Sequence, residues 1–184
     1  LAGMSQCYHS QFTDAPRRVG NLALLPLRTT VRGPAPNDPN LQFDIIDEAL
    51  LYFKPLIFFR QFEFKSDADR VLVYLVLYIL ECLRKLQRCN TKTLGAKELN
   101  ALAIARFDLP GDPGFPRELN TLYARPSMSE VDTMRNYLTQ LRTEMGTRLL
   151  KAVYPNETGP PSKWWLCFSK RKFLDKSLSA PGAH

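Results

Sequence analysis

The sequence predicts an all-α fold: a compact helical domain with one central buried helix at about 66–90, other helices around it, and an extended N-terminal arm. Three observations predict it. A serine-capped segment carries ten consecutive apolar residues, 71–80, with no polar face. A second segment repeats apolar residues at steps of three and four from Val131 to Ala152. The 184 residues are 45% hydrophobic and 23% charged, an ordinary globular composition. Surface scaling at this size buries roughly 70% of the unfolded surface, so a real core needs no staples. The chain 1–184 is therefore read as a single helical domain.

The arm covers residues 1–40. Pro34, Pro36 and Pro39 cannot continue a helix, because each lacks an N–H and restricts its predecessor. The apolar patch Leu22 to Leu27 pins the arm to the helical body. A first helix starts at Asp44, with Asp47 three residues on as a weakened capping box, and Ile46, Ala49, Leu50 and Phe53 form its apolar stripe. Pro55 ends or kinks it. Residues 56–65, with Ile57, Phe58, Phe59, Phe62 and Phe64, read as an extended piece.

Ser66 is a good N-cap with Asp69 at N3, and Asp67 complements the helix dipole. These caps, and a length above 20 residues, favour a helix over a buried strand for the segment that follows. A helix that is apolar all round must be covered all round. Its basic end, Arg84, Lys85 and Arg88, suits the negative pole of the dipole and should protrude. Residues 93–106 form a short Ala- and Leu-rich helix, and 109–116 a Pro/Gly turn. Ser129 caps the last long helix, whose polar face carries Arg135, Gln140, Arg142, Thr143, Glu144 and Lys151. After Tyr154-Pro155, residues 156–184 make a loop and a basic tail containing Trp164 and Trp165.

With 25 Lys and Arg against 18 Asp and Glu, the net charge is +7. Such a chain favours anionic partners: nucleic acid, anionic lipid or an acidic protein. The longest apolar run is half of what a bilayer span needs, about 20 residues, so no membrane insertion is expected. The start of the chain has no basic-then-apolar leader, and the four cysteines are expected to be reduced thiols.

The sequence holds no phosphate loop, dinucleotide fingerprint or nucleophile elbow. Only two histidines exist, His9 and His184, so neither a zinc set nor a nucleophile–base pair is evident. Cys82 and Cys167 read as buried structural thiols, and Cys89, seven residues after Cys82, as a core residue on the same helix face. The pairs Asp47/Glu48 and Asp67/Asp69 read as capping and dipole residues. No catalytic, cofactor or metal residue is expected. Trp164-Trp165 can plug the core or anchor an interface, and both readings stay open. A small basic helical nucleic-acid-binding module is the alternative function, but no binding motif supports it.

Long strings of the sequence resemble one family. They include Asn21-Leu22-Ala23-Leu24-Leu25-Pro26-Leu27-Arg28, Asp44-Ile45-Ile46-Asp47-Glu48-Ala49, Pro110-Gly111-Asp112-Pro113-Gly114-Phe115-Pro116 and Lys163-Trp164-Trp165-Leu166-Cys167-Phe168-Ser169-Lys170-Arg171. In order along nearly the whole chain they are similar to the 21-kilodalton small subunit of the actin-related protein 2/3 complex. Met4 would then be the natural start, Leu1 to Gly3 extra, and Arg117-Glu118 an insertion in a loop. Phe173-Leu174-Asp175 stands where the family usually has Phe-Met-Asn. The resemblance implies a non-catalytic, cofactor-free scaffold subunit of a seven-chain assembly that nucleates branched actin filaments. It implies actin-related protein 3 as chief partner, the mother filament as a further contact, and a place in the cytoplasm at the actin cytoskeleton. It implies no nucleic acid. Charge placement, not the resemblance, selects the candidate contacts: Arg84, Lys85, Arg88, Lys163, Trp164, Trp165, Lys170, Arg171 and Lys172.

Overall fold

The computed structural model describes residues 8–179. Cys7, Met4, His184 and the three residues before Met4 lie outside the described residues. In chain order the elements are β1 (Arg18–Val19), β2 (Leu22–Ala23), α1 (Ile45–Leu56), α2 (Asp67–Leu86), α3 (Lys92–Ile104), a single 3-10 turn (Leu119–Thr121), α4 (Val131–Val153) and α5 (Lys163–Leu166). The molecule is mostly helical rather than all-α. β1 and β2 pair antiparallel, Arg18 opposite Ala23 and Val19 opposite Leu22, across a turn in which Gly20 takes φ +57. Strands of two residues are too short to produce an alternation that a sequence reading can detect.

α2 is the centre. Every residue from 71 to 80 is at most 3% exposed, and the helix packs against α1, α3, α4, α5 and β2. Ser66 Oγ accepts from the Asp69 N–H at 3.1 Å, as its capping position requires. The helix stops at Leu86, short of the expected 88–90. Gln87 and Arg88 are exposed, and the Cys89 N–H already turns back to the Leu86 carbonyl. Cys89 is buried but beyond the helix end.

α1 opens with a reciprocal capping box. The Asp47 N–H donates to Asp44 Oδ1, and the Asp44 N–H donates to Asp47 Oδ2, both at 3.1 Å. It runs one residue past Pro55, and residues 57–65 then follow without pairing to any described strand. Their rings pack as a chain: Phe62 on Phe64, and Phe64 on Tyr123.

The cap of α4 lies one residue beyond Ser129. Glu130 is the N-cap, and its carboxylate reaches back to accept from the Ser127 N–H and Oγ, each at 2.9 Å. α4 is also not one-sided. Gln140 and Arg142, expected on a solvated face, are buried, and Ala152 is exposed while Val153 is buried. The arm covers one flank: Gln140 Oε1 accepts from the Ala35 N–H and its Nε2 donates to the Val31 carbonyl, both at 2.9 Å. α3 covers the other. The Arg142 guanidinium lies 4.5 Å from the Tyr78 ring centre and 4.3 Å from that of Phe107, and donates to the Leu102 carbonyl at 2.8 Å. Gly95 lets α3 approach, because a Cβ there would stand 3.0 Å from the side chains of both Leu150 and Leu86. No helix among the described residues is long and apolar enough to cross a membrane.

The middle of the arm enters the core. Leu22, Ala23, Leu24, Leu25 and Leu27 are all buried. The Tyr137 hydroxyl donates to the Ala23 carbonyl at 2.8 Å and accepts from the Leu25 N–H at 3.1 Å.

Candidate protein interface

The tail builds the surface that carries the candidate residues. It folds back over the C-terminal end of α2 through polar latches. Arg84 donates to Ser177 Oγ at 2.9 Å and to the Arg171 carbonyl at 3.2 Å, and pairs with Glu81. Glu81 also accepts from Ser177 and Ser179, and Gln87 donates to Ser169. Phe173 is the one fully buried ring of the segment. A two-residue turn follows it, with Leu174 at φ 54 and Asp175 at φ 58, closed by the Lys176 N–H donating to the Phe173 carbonyl at 2.9 Å.

Successive helical side chains point about 100° apart, and this divides the two tryptophans. Trp165 turns inward and stacks on Phe53, with ring centres 5.7 Å apart, while the Lys54 amine sits 4.6 Å over it. Trp164 turns outward and keeps 72% of its surface exposed. Trp165 thus packs on the body of the fold, and Trp164 stays at the surface. Phe168 bridges Phe53 and Phe58 edge-on, and the Arg171 guanidinium lies 4.7 Å over Phe58. Phe58 and Leu51 are themselves 58% and 62% exposed. Trp165, Phe53, Phe168 and Phe58 thus form one run of packed rings between α1 and the tail, an aromatic shelf with Arg171 over Phe58 and with Lys163 and Trp164 next to it in sequence.

The remaining cationic candidates lie on another wall. Arg84, Lys85, Arg88, Lys170 and Lys172 all line one groove of about 690 Å³ between the end of α2, the α3 residues Leu94 and Leu102, and the tail. The structure thus sorts the nine candidates into a shelf (Lys163, Trp164, Trp165, Arg171) and a groove. Arg84 does not protrude. Its side chain is spent on the latch. The sequence reading missed Leu51 and Phe58. The only available signal was a ring shortly after Pro55, a residue that ends or kinks a helix.

The titratable groups elsewhere serve structure. Burial pushes the Cys82 thiol up to about 12, which keeps it protonated. Cys167, expected to be buried, is exposed just past the end of α5. Asp69 accepts from His9 Nδ1 and the Ser10 N–H, each at 2.7 Å, and from the Lys65 N–H at 3.0 Å. Among the described residues, no three His, Cys, Asp or Glu side chains group as metal ligands would.

Comparison with known proteins gives one consistent answer. The sequence model of the family described as P21-Arc, the ARP2/3 complex ARPC3 (21 kDa) subunit, matches residues 5–178. The probable actin-related protein 2/3 complex subunit 3 of Caenorhabditis elegans is 49% identical over 183 residues, covering 96% of this chain and 98% of that protein. Actin-related protein 2/3 complex subunit 3 of Schizosaccharomyces pombe is 49% identical over 175 residues, covering 93% and 98%. Its counterpart in Saccharomyces cerevisiae is 45% identical over 178 residues, covering 93% and 98%.

Proposed function

This chain belongs to the family of the ARPC3 (21 kDa) subunit of the ARP2/3 complex, and from that premise we propose that it is a non-catalytic structural subunit supporting nucleation of branched actin filaments. Its partners are the other subunits of the complex, chiefly actin-related protein 3, together with the actin filament, and its place is the cytoplasmic actin cytoskeleton. Small actin oligomers bury too little surface to offset the entropy of association. A scaffold that holds actin-like subunits in register removes that ordering cost before a filament starts. This chain contributes a rigid surface and no bond chemistry.

The docking surface is the shelf, with Lys163, Trp164, Trp165 and Arg171 as anchors. Arg84, Lys85, Arg88, Lys170 and Lys172 add the positive charge that steers an acidic actin-like surface into register. The observation that supports this is Trp164, held at the surface beside a half-buried Trp165 stacked on Phe53. Large exposed aromatics on rigid backing are the residues on which interfaces concentrate their energy.

Trp164→Ala tests it. The isolated chain keeps its stability to within about 0.5 kcal/mol, as exposed substitutions do. Retention in the purified complex at moderate salt weakens about 30-fold, the equivalent of a hot spot worth about 2 kcal/mol. Full retention, with branched nucleation unchanged for both Trp164→Ala and Trp164→Ala/Phe58→Ser, sinks the shelf as the docking surface.

A further inference from the structure

Lys85, Arg88, Lys170 and Lys172 share one concavity, and none of the four pairs with a carboxylate among the described residues. This differs from the cations that hold the fold. Arg148, Arg70 and Arg84 each close on an acidic neighbour. Two carboxylates also line the groove, Glu81 and Glu98. Glu81 is already consumed by Arg84, Ser177 and Ser179, so Glu98 alone opposes four cations.

Like charges gathered on a concave wall repel one another and focus a positive potential into the groove. A single carboxylate or chloride would leave most of that charge uncompensated. A protein partner is a poor fit on size. The groove's volume of about 690 Å³ falls in the range of small-molecule pockets, about 300–1,000 Å³, whereas a stable protein contact buries about 800 Å² on each side. Several phosphates on one compact scaffold satisfy both constraints. The planar Arg88 fork suits two phosphate oxygens at once, and the mobile lysine amines act as point charges on the others.

We propose that the groove at the end of α2 binds a compact polyphosphate anion, either a free polyphosphorylated small molecule or the multiply phosphorylated headgroup of a lipid. Binding there engages four cations that steer the proposed docking but do not anchor it, so it stands or falls separately from the Trp164 result.

The test is calorimetric titration of the full chain with inositol hexakisphosphate and with inorganic tripolyphosphate in 150 mM salt. Co-sedimentation follows with phosphatidylcholine vesicles containing phosphatidylinositol bisphosphate. The expected result is saturable one-to-one binding to at least one probe. Lys170→Gln/Lys172→Gln weakens it about tenfold or more, and adding Lys85→Gln/Arg88→Gln abolishes it, with the melting temperature unchanged. Lys65→Gln/Lys151→Gln, on exposed lysines elsewhere, leaves affinity within about twofold. Preference for vesicles over the free probes identifies the lipid headgroup as the source; the reverse identifies the soluble anion. The proposal is overturned if none of the three probes saturates, if the control pair weakens binding as much as the groove pair, or if a decaglutamate peptide competes as strongly as the phosphates.

Discussion

The N-terminal arm and the C-terminal tail both lack a helical period, yet they are held in opposite ways. The arm sends its middle stretch, Leu22 to Leu27, into the interior. Side chains from α1, α2 and α4 satisfy its backbone: Asp69 and Glu48 hold Ser10 and Gln11, Tyr137 holds Ala23 and Leu25, Gln140 holds Val31 and Ala35, and Arg148 holds Arg28. The tail is fastened by one buried ring, by Trp165 and Phe168 packed on Phe53, and by a few latches at the end of α2, and it leaves Trp164, Lys170, Arg171 and Lys172 facing solvent. A segment whose backbone polar groups are satisfied by buried side chains belongs to the cooperative fold. A segment fastened at the surface is free to display side chains.

Arg148 gives the strongest way to break that contrast. Its guanidinium grips Asp44 at both oxygens, at 2.6 and 2.7 Å, reaches Asp47 at 3.0 Å and Glu144 at 2.8 Å, and donates to the Arg28 carbonyl at 2.7 Å. The Asp44 side chain is fully buried. Arg148→Met strands that carboxylate and costs about 3–5 kcal/mol in urea unfolding; a loss below about 1 kcal/mol would show that the arm is not anchored here. The pH dependence has a definite sign. Burial alone would raise the Asp44 pKa, but the Arg148 hydrogen bond, the Asp47 and Arg28 N–H groups and the Arg148 charge outweigh it and hold it below its ordinary 3.8. The unfolded chain therefore binds the proton first as pH drops. The stability from Asp44 is complete above 3.8 and is lost as pH falls through the depressed value. In Arg148→Met this acid limb shrinks.

Tyr137→Phe removes less. It leaves the buried Leu25 N–H without its acceptor and the Ala23 carbonyl without its donor, for a loss of about 2 kcal/mol. Because the arm is part of the core, the whole unfolding transition shifts. A separate early transition, seen by amide exchange confined to residues 8–40, would refute that.

What could be read from the sequence follows the same divide. α2 was legible because Ser66 caps it and its apolar residues cover every face, so no partner was needed to interpret it. α4 was half legible. Its apolar stripe was evident, but Gln140, Arg142 and Arg148 are buried by partners distant in sequence: the arm at Val31 and Ala35, Phe107 after α3, and Asp44. No local period carries that information. The candidate surface was legible as composition, a tryptophan pair among basic residues, but not as geometry. Which tryptophan faces outward depends on Phe53 and Lys54, more than 100 residues away. Phe58 went unnoticed because apolar residues suggest burial.

Glu48, on α1, sharpens the comparison where the arm docks. One of its oxygens accepts from the Gln11 N–H at 3.0 Å, while the other, also buried, has no partner. Burial raises its pKa above the ordinary 4.5 and the Asp69 charge adds to this; the Gln11 N–H and the Ser10 hydroxyl oppose it. The folded protein therefore holds this proton more tightly than the unfolded chain, and stability falls as pH rises from 4.5 through the raised value. Glu48→Gln keeps the acceptor for Gln11 and removes the buried charge. The expected gain at neutral pH is on the order of 1 kcal/mol, together with loss of the slope just above pH 4.5. A variant less stable than the parent at pH 7 would mean that the carboxylate is satisfied.

The tail offers the smallest effect and the most local one. Leu174 and Asp175 sit at φ 54 and 58, a left-handed pair that a two-residue turn requires and that costs L-residues with bulky side chains about 1 kcal/mol. Leu174→Asn/Asp175→Gly supplies the residues such a turn prefers. Because the tail is latched rather than threaded, the gain stays local. Amide exchange slows severalfold across 169–179, while the urea midpoint of the whole molecule hardly moves. A midpoint shift equal to the local gain would place the tail in the same cooperative unit as the arm, and the distinction between a threaded end and a latched one would collapse.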